Sequence, residues 1–553
     1  MSITTFNEVQ KFKESLKIWF EENVSIHNED LIVLFFSYGN PNQRCKVWNT
    51  ADSDLNKVLK RTLNFIDKQF ENDRKLAEFL KFDIAKNIKK EKWVNVNNEI
   101  IAQKHNNHFR KGLSFDSKFE ISFLEQEIYG KALIRGLVYN EPNFCDEKNI
   151  NDAIKTKYNG IKVSIDLSKL DTVWTFDTVG MIYENNKIVR LQSTGQKNGI
   201  RVISDIDYKK HIKDIVLKNA EFLHDEILEN GAFQYGYFPA FNRNLKSYNT
   251  VRHCTAVYAL LETLEVEYNS KYLEKINESI QYALDTFYKV AGRKAYMIDG
   301  NEPDLEIKLG SNAAAIFMLA KYQEITKDNK YQKYAEKLAQ GIKSMVSRTG
   351  ETTHVLNYPS LEVKEKFRIV YYDGEAALGL LRLYQLNHDE KLLKTVKLMF
   401  SHFIKKDYDQ YHDHWLSYCT NELTKICPEE QYFRFGMNNY LKHMDFIKNR
   451  KTAYATFLEM MMSAYKMVVR MKEEGFVELY AESKFEELKE LIELRVEFQR
   501  STGFFYPEMA MYMKEPSCIL NAFYVRHDRF RTRIDDQEHN LSGYVAYLNY
   551  FHK

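Results

Sequence analysis

Residues 312–322 read NAAAIFMLAKY, a helix rich in small side chains of the kind that lets neighbouring helices approach closely. Five further runs share this texture: AVYALLETL (256–264), EAALGLLRLYQ (375–385), WLSYCTNEL (415–423), AYATFLEMMMSAY (453–465) and SGYVAYLNYF (542–551). The six helices begin near Val251, Ser311, Gly374, His414, Thr452 and Leu541. Each belongs to a repeated unit of polar loop, small-residue helix and longer charged amphipathic helix. Six such pairs predict a closed (α/α)6 toroid whose inner-helix loops converge on one mouth, so that polar residues distant in sequence share a pocket.

Candidates for the outer ring are HIKDIVLKNAEFLHDEIL (211–228), SKYLEKINESIQYALDTFY (270–288), KYQKYAEKLAQGIKSMV (330–346), EKLLKTVKLMFSHFI (390–404), EQYFRFGMNNYLKHMDFI (430–447) and KFEELKELIELRVEFQ (484–499). Their charged stripes suit a solvent-facing layer. About 90 residues separate the last two inner helices, and a long aromatic loop, GAFQYGYFPAFNRNLKSY, precedes the first. Long ordered loops of this kind carry function more often than they carry the fold.

The first 205 residues differ. A helix is expected at 6–22, strands at LIVLFFSYG (31–39) and QRCKVWN (43–49), and a helix at 54–70. KWVNVNN (92–98) and EIIAQ (99–103) read as strands, and residues 114–134 as an amphipathic helix with Ser114 or Asp116 as its cap. TVWTFDTVGMIYE and KIVRLQST flank Asn185-Asn186, a good hairpin turn. Short strands and helices without βαβ regularity indicate an α+β domain over 1–205, followed by a mainly α toroid over 206–553.

Composition narrows the function. The 553 residues hold 79 Lys+Arg against 77 Asp+Glu, a formal net charge of +2, so no basic footprint for nucleic acid or membrane surfaces exists. The six cysteines are dispersed without CxxC pairing and read as reduced. No apolar stretch reaches spanning length and no secretory signal opens the chain, which places it in the cytoplasm as an expectation. Phosphate loops, a GxSxG elbow, HExxH and a dinucleotide fingerprint are all missing, so no cofactor or metal is expected.

Four clusters carry chemistry. In RHDRFRTRIDDQEH (526–539), an extended backbone would set Arg529, Arg531 and Arg533 on one face as a fork for carboxylate or phosphate, the alternative being pairing with Asp528, Asp535 and Asp536. Asp535 to Glu538 also matches a capping box, and Asp536 and His539 follow into the pocket. In YYDGE (371–375), Asp373 would cap the helix, with Glu375 ionised in its first turn beside Tyr372. In YHDHW (411–415), His412 and His414 diverge by about 200° if helical, so one pocket histidine, His414, an Asp413 cap and a Trp415 wall are expected in place of a metal pair. In NTVRH (249–253), Arg252 and His253 open the first inner helix, with Tyr235 and Tyr237 upstream to stack on a sugar or simply pack.

On these helices the chain resembles the six-hairpin (α/α)6 toroid superfamily, which holds glycoside hydrolases, polysaccharide lyases, sugar epimerases and glucuronyl epimerases. The segments YYDGEAALGLLRLYQ and DHWLSYCTNEL look most like its epimerase and glycosidase versions. The resemblance covers about 60% of the chain and leaves the N-terminal domain unassigned. By motif position it points to Tyr372, Glu375 and Arg533. It implies a carbohydrate-active enzyme of hydrolase, epimerase or lyase type; the arginines add the expectation of an anionic saccharide or oligosaccharide, with capsule or envelope metabolism as its setting. The catalytic candidates are Glu375, Asp373, Tyr372, His414, Asp536 and His539, and the binding candidates Arg252, His253, Tyr235, Tyr237, Trp415, Arg529, Arg531 and Arg533. Competing readings are a non-catalytic toroid that binds a peptide or polymer, and a lanthionine-cyclase-like enzyme; the zinc pattern of the latter is absent, since neither Cys419 nor Cys427 has an adjacent histidine.

Overall fold

Six small-residue helices close a ring. In the computed structural model, which describes residues 5–24, 30–73, 77–136, 142–158, 162–193 and 195–551, the ring helices are Thr250–Thr263, Leu309–Thr326, Tyr371–Asn387, His414–Ile426, Thr456–Glu473 and Ile534–Ala546. Each packs on the next, and the sixth packs on the first. The second is buried along Leu309–Tyr322 on every face, as a helix must be when it lies between two ring neighbours, an outer partner and the lumen. Outside them run Asp205–Asp225, Ser270–Phe287, Gln332–Ser344, Glu390–Lys405, Glu430–Leu441 and Phe485–Gly503. The outer helices present apolar faces inward and charged faces outward, the division that their sequence stripes require.

The helices of the ring run the same way, so their N-termini gather at one end. Towards the C-terminal ends charged side chains pair: Lys425 reaches Glu422 at 2.7 Å, Arg382 reaches it at 3.5 Å, and Lys321 pairs with Glu265. Buried charges persist only when paired in this way.

The sixth ring helix starts at Ile534, a full two turns before the expected Leu541. No capping box forms there, because Arg533 occupies the cap position and the Asp535 carboxylate is taken up by arginines. Similarly, the third ring helix starts at Tyr371 with no side-chain cap, so Asp373 lies inside its first turn.

Two units account for the chain. The toroid comprises Ile206–Gly236, Leu245–Arg500 and Arg533–Lys553. The other unit joins Met1–Asp205 to Tyr237–Asn244 and Ser501–Thr532, two stretches that lie far along the chain. Its main sheet runs in the order Lys46–Asp52, Ile32–Gly39, Phe79–Lys92, Thr172–Glu184, Gly112–Ser114 and Ser122–Phe123, with Lys187–Arg190 also on Thr172–Glu184, all antiparallel. Asn185 and Asn186, at φ 52° and 61°, make the hairpin turn between the last two.

Two expectations fail here. Residues 93–101 form a helix instead of strands, with Trp93, Val96 and Ile100 buried at helical spacing. Residues 114–134 form no long helix: the Asp116 carboxylate accepts the backbone N–H groups of Lys118, Glu120 and Ile121 in a tight turn, and only Glu125–Gly130 is helical.

Candidate active site

The N-terminal ends of the ring helices bring ionisable groups together from all around the toroid. Arg252, in the first turn of the first helix, places Nε 2.7 Å from Asp535 Oδ2 on the sixth and donates from Nη1 to Tyr235 Oη at 3.2 Å. Arg533 donates from Nη2 to the same Asp535 oxygen at 2.6 Å. One carboxylate thus holds two guanidinium groups. Asp536, next in the chain, is buried in the first turn of the sixth helix.

Glu375 on the third helix is buried, and its Oε2 has no hydrogen-bond partner. The oxygen fits because residue 310 on the neighbouring helix is glycine: a Cβ there would stand 2.0 Å from it. Burial, reinforced by the Asp413 and Glu538 carboxylates and opposed by His539 and Arg252, pushes the Glu375 pKa up to about 8. The expected ionised first-turn carboxylate is therefore wrong in sign, since Glu375 lies beyond the first turn and desolvation outweighs the helix dipole. Burial and then Glu375 raise the Tyr372 phenol as well. Asp373 faces elsewhere, accepting from Thr352 Oγ1 at 2.5 Å and pairing with His354 Nε2 at 3.0 Å.

Two histidines meet edge to face across the ring. The rings of His414 on the fourth helix and His539 on the sixth are 5.2 Å apart at 82°. His414 Nδ1 lies 3.1 Å from Asp413 Oδ1, while its buried Nε2 has no partner. His539 Nδ1 lies 2.9 Å from Glu459 Oε2 and 3.2 Å from Glu538 Oε2. Burial by itself would lower the His539 pKa, but Glu538 and Glu459 hold it well above the ordinary imidazole value. Glu538, buried beside them, is raised to about 7 by desolvation against the pull of His539. Glu459 also accepts from Tyr418 Oη at 3.1 Å. Trp415 is buried, stacked on Phe317 at 5.5 Å and 6.4 Å from the His539 ring.

Not every expected residue joins this centre. His253 is wholly buried with both nitrogens engaged, Nδ1 with Tyr248 Oη at 2.7 Å and Nε2 with the Ser279 carbonyl at 2.9 Å, and burial lowers its pKa to about 4. It is a packing residue. His412, with φ 50°, bonds through Nδ1 to the Asn439 carbonyl and stacks on His443, away from His414. Tyr237, Arg529 and Arg531 belong to the other unit. The arginines form no common face, because Arg529 and Phe530 are both left-handed at φ 56° and the backbone extends only afterwards.

Sequence reading passed over Glu459 and treated Glu538 only as a cap. A signal existed for Glu459: it is the one acid inside the apolar run FLEMMMSA, and a carboxylate on a helix buried by its neighbours needs a partner or a task. His414, Glu459 and His539 each offer a ligand atom within 4.8 Å of the others, a set able to hold a divalent ion.

No family model matches the chain, and no curated protein matches it in sequence. Solved structures resemble it at low identity. Cellobiose 2-epimerase from Bacillus thermoamylovorans is 14% identical, covering 62% of this chain and 99% of that one, with a TM-score of 0.47. A D-mannose isomerase is 13% identical over 63% and 99%, at 0.45. The α-1,6-mannanase of a Salegentibacter species is 12% identical over 61% and 98%, at 0.43. The assignment rests on the chain's own packing: six helical hairpins close into an (α/α)6 toroid, with histidines, acids and arginines gathered at the N-terminal end of its inner ring.

Proposed function

We propose that the toroid is a carbohydrate-active enzyme that moves a proton at the carbon beside a sugar's carbonyl, as an epimerase or aldose–ketose isomerase does. The observation that carries this is the facing pair His414 and His539, 5.2 Å apart and flanked by Glu459 and Glu538. His414, whose Nδ1 lies 3.1 Å from Asp413 Oδ1, presents its unpartnered Nε2 as base. His539, kept cationic by two carboxylates, supplies the acid. One imidazole removes the proton to leave an enediolate, and the imidazolium then spends its single proton on that carbon or, with the hydroxyl proton passing between the two oxygens, on the adjacent one. For hydrolysis, Asp373 is tied to His354 and Asp535 to two arginines, which leaves Glu375 with Asp536 as the acid and base of that reading.

The test is proton exchange. Incubated with free aldoses and ketoses in D2O, the protein is expected to wash deuterium into the position beside the carbonyl, and His414→Asn and His539→Asn to lower that rate by about 10²–10⁴-fold. Release of reducing ends from oligosaccharides without deuterium wash-in would overturn the reading in favour of hydrolysis. Neither activity, with saccharide binding retained, would make the toroid a binder.

A second reading rests on the ligand geometry of His414, Glu459 and His539. A divalent ion there would polarise the sugar oxygen in place of the imidazolium. Loss of exchange on chelation, restored by zinc or manganese, would select this version; full exchange in chelator-treated protein disposes of it.

A further inference from the structure

We propose that the unit built on the antiparallel sheet carries a separate binding site for one phosphate or carboxylate group borne on a saccharide, in a cavity of about 180 Å³ lined by Arg135, Arg243 and Arg529. All three arginines belong to that unit, and no acidic side chain lines the cavity. Charge around it is unbalanced. Arg135 pairs with Asp146 at 2.7 Å, but Asp528 is shared between Arg529 and Arg531, and Arg243 has no ion pair among the described residues. An excess of guanidinium groups around a concave surface is a standing attraction for an anion.

The guanidinium groups are also held in place. Arg529 lies over the Phe238 ring at 4.1 Å and Arg243 over the same ring at 5.3 Å, while Arg135 lies over Phe144 at 5.4 Å. A guanidinium over a ring is attracted to the ring face without using its N–H donors there, so donors remain for an oxyanion. The backbone around the cavity is unusual too: Asn107, Ala132, Arg529 and Phe530 all line it, and all four have positive φ, between 52° and 62°. Non-glycine residues adopt this conformation rarely, and clusters of them mark ligand clamps.

Size sets the ligand. The volume holds about six waters at roughly 30 Å³ each, below the 300–1,000 Å³ or so of a site for a whole ligand. It therefore receives an acidic group with part of its ring, and Tyr129, Phe241 and Phe530 on its walls suit the C–H face of a sugar.

Calorimetric titration of the full chain with glucose 6-phosphate, glucuronate, inorganic phosphate and glucose tests this. Glucose 6-phosphate or glucuronate is expected to bind at least tenfold more tightly than inorganic phosphate, and glucose not to bind at the same site. Arg243→Ala and Arg529→Ala should each weaken the acidic sugar at least tenfold, with Arg529→Lys restoring only part, because lysine lacks the fork. Arg243 is exposed, so its variant reports binding without a folding defect. Wild-type protein that binds none of the anions, binds phosphate as tightly as the acidic sugars, or matches both alanine variants would overturn the proposal. The readout is binding, so failure here leaves the proton-exchange reading of the toroid standing.

Discussion

Glu375 shows how far one residue can be read from sequence. Its position next to Asp373 and Gly374 at a helix start was legible and marked it as a candidate. Its protonation state was not, because a helix dipole offers about 0.3–1 kcal/mol to an exposed carboxylate, whereas an unpaired buried one loses several kcal/mol of hydration. Desolvation wins, and the folded pKa stands near 8 against an ordinary 4.5. The sign follows. Between about pH 4.5 and pH 8 the folded state keeps a proton that the unfolded chain releases, so the stability tied to this group is fully present below pH 4.5 and is lost as pH rises through 8. Urea unfolding at pH 5 and pH 9 should show the wild type losing a few kcal/mol more than Glu375→Gln across that interval. Equal losses would mean that the carboxyl is ionised in the folded protein. His253 makes the opposite point: its sequence neighbour Arg252 reaches the centre, yet His253 turns into the packing between helices, a difference of about 100° in helical phase that depends on where the ring neighbours stand.

At the scale of elements, the small-residue helices were legible because close packing on all sides leaves a compositional trace. Gly374 is the clearest case. A Cβ there would stand 2.7 Å from the Trp415 carbonyl carbon and 2.8 Å from the Leu416 nitrogen, so two ring helices approach through this position. Backbone cannot yield as a side chain does, and Gly374→Ala is expected to cost about 1–3 kcal/mol, read as a lowered thermal midpoint. Gly310→Ala instead meets the end of the Glu375 side chain and the Tyr372 ring; it should perturb the site more than the stability. A melting temperature unchanged in Gly374→Ala would contradict the close approach. Boundaries were less legible. Residues 93–101 differ from expectation because a short apolar run fits either a strand or a helix until something packs on it. The start of the sixth ring helix moved because an aspartate expected to cap it is drawn instead to Arg252 on the first.

For the whole molecule, that same ion pair is a clasp. Arg252 sits on the first ring helix and Asp535 on the sixth, 2.7 Å apart, so the contact exists only when the ring is closed. A double-mutant cycle of Arg252→Ala and Asp535→Ala in denaturant should yield a coupling energy of about 2 kcal/mol, below that of a wholly buried pair because Arg252 keeps 34% of its side chain exposed. Coupling near zero would mean that closure rests on apolar packing alone. The number of hairpins, the inner and outer layers and the concentration of reactive side chains at inner-helix starts are all written in the chain, because they follow from local periodicity and residue size. Which of them meet is a matter of how the helices pack. That packing set His414 against His539, placed Glu459 beside His539, tied Asp535 to two arginines and assigned Arg529 to the other unit. Side chains from separate helices come together only through the register and phase in which the ring closes, and no single stretch of sequence encodes that.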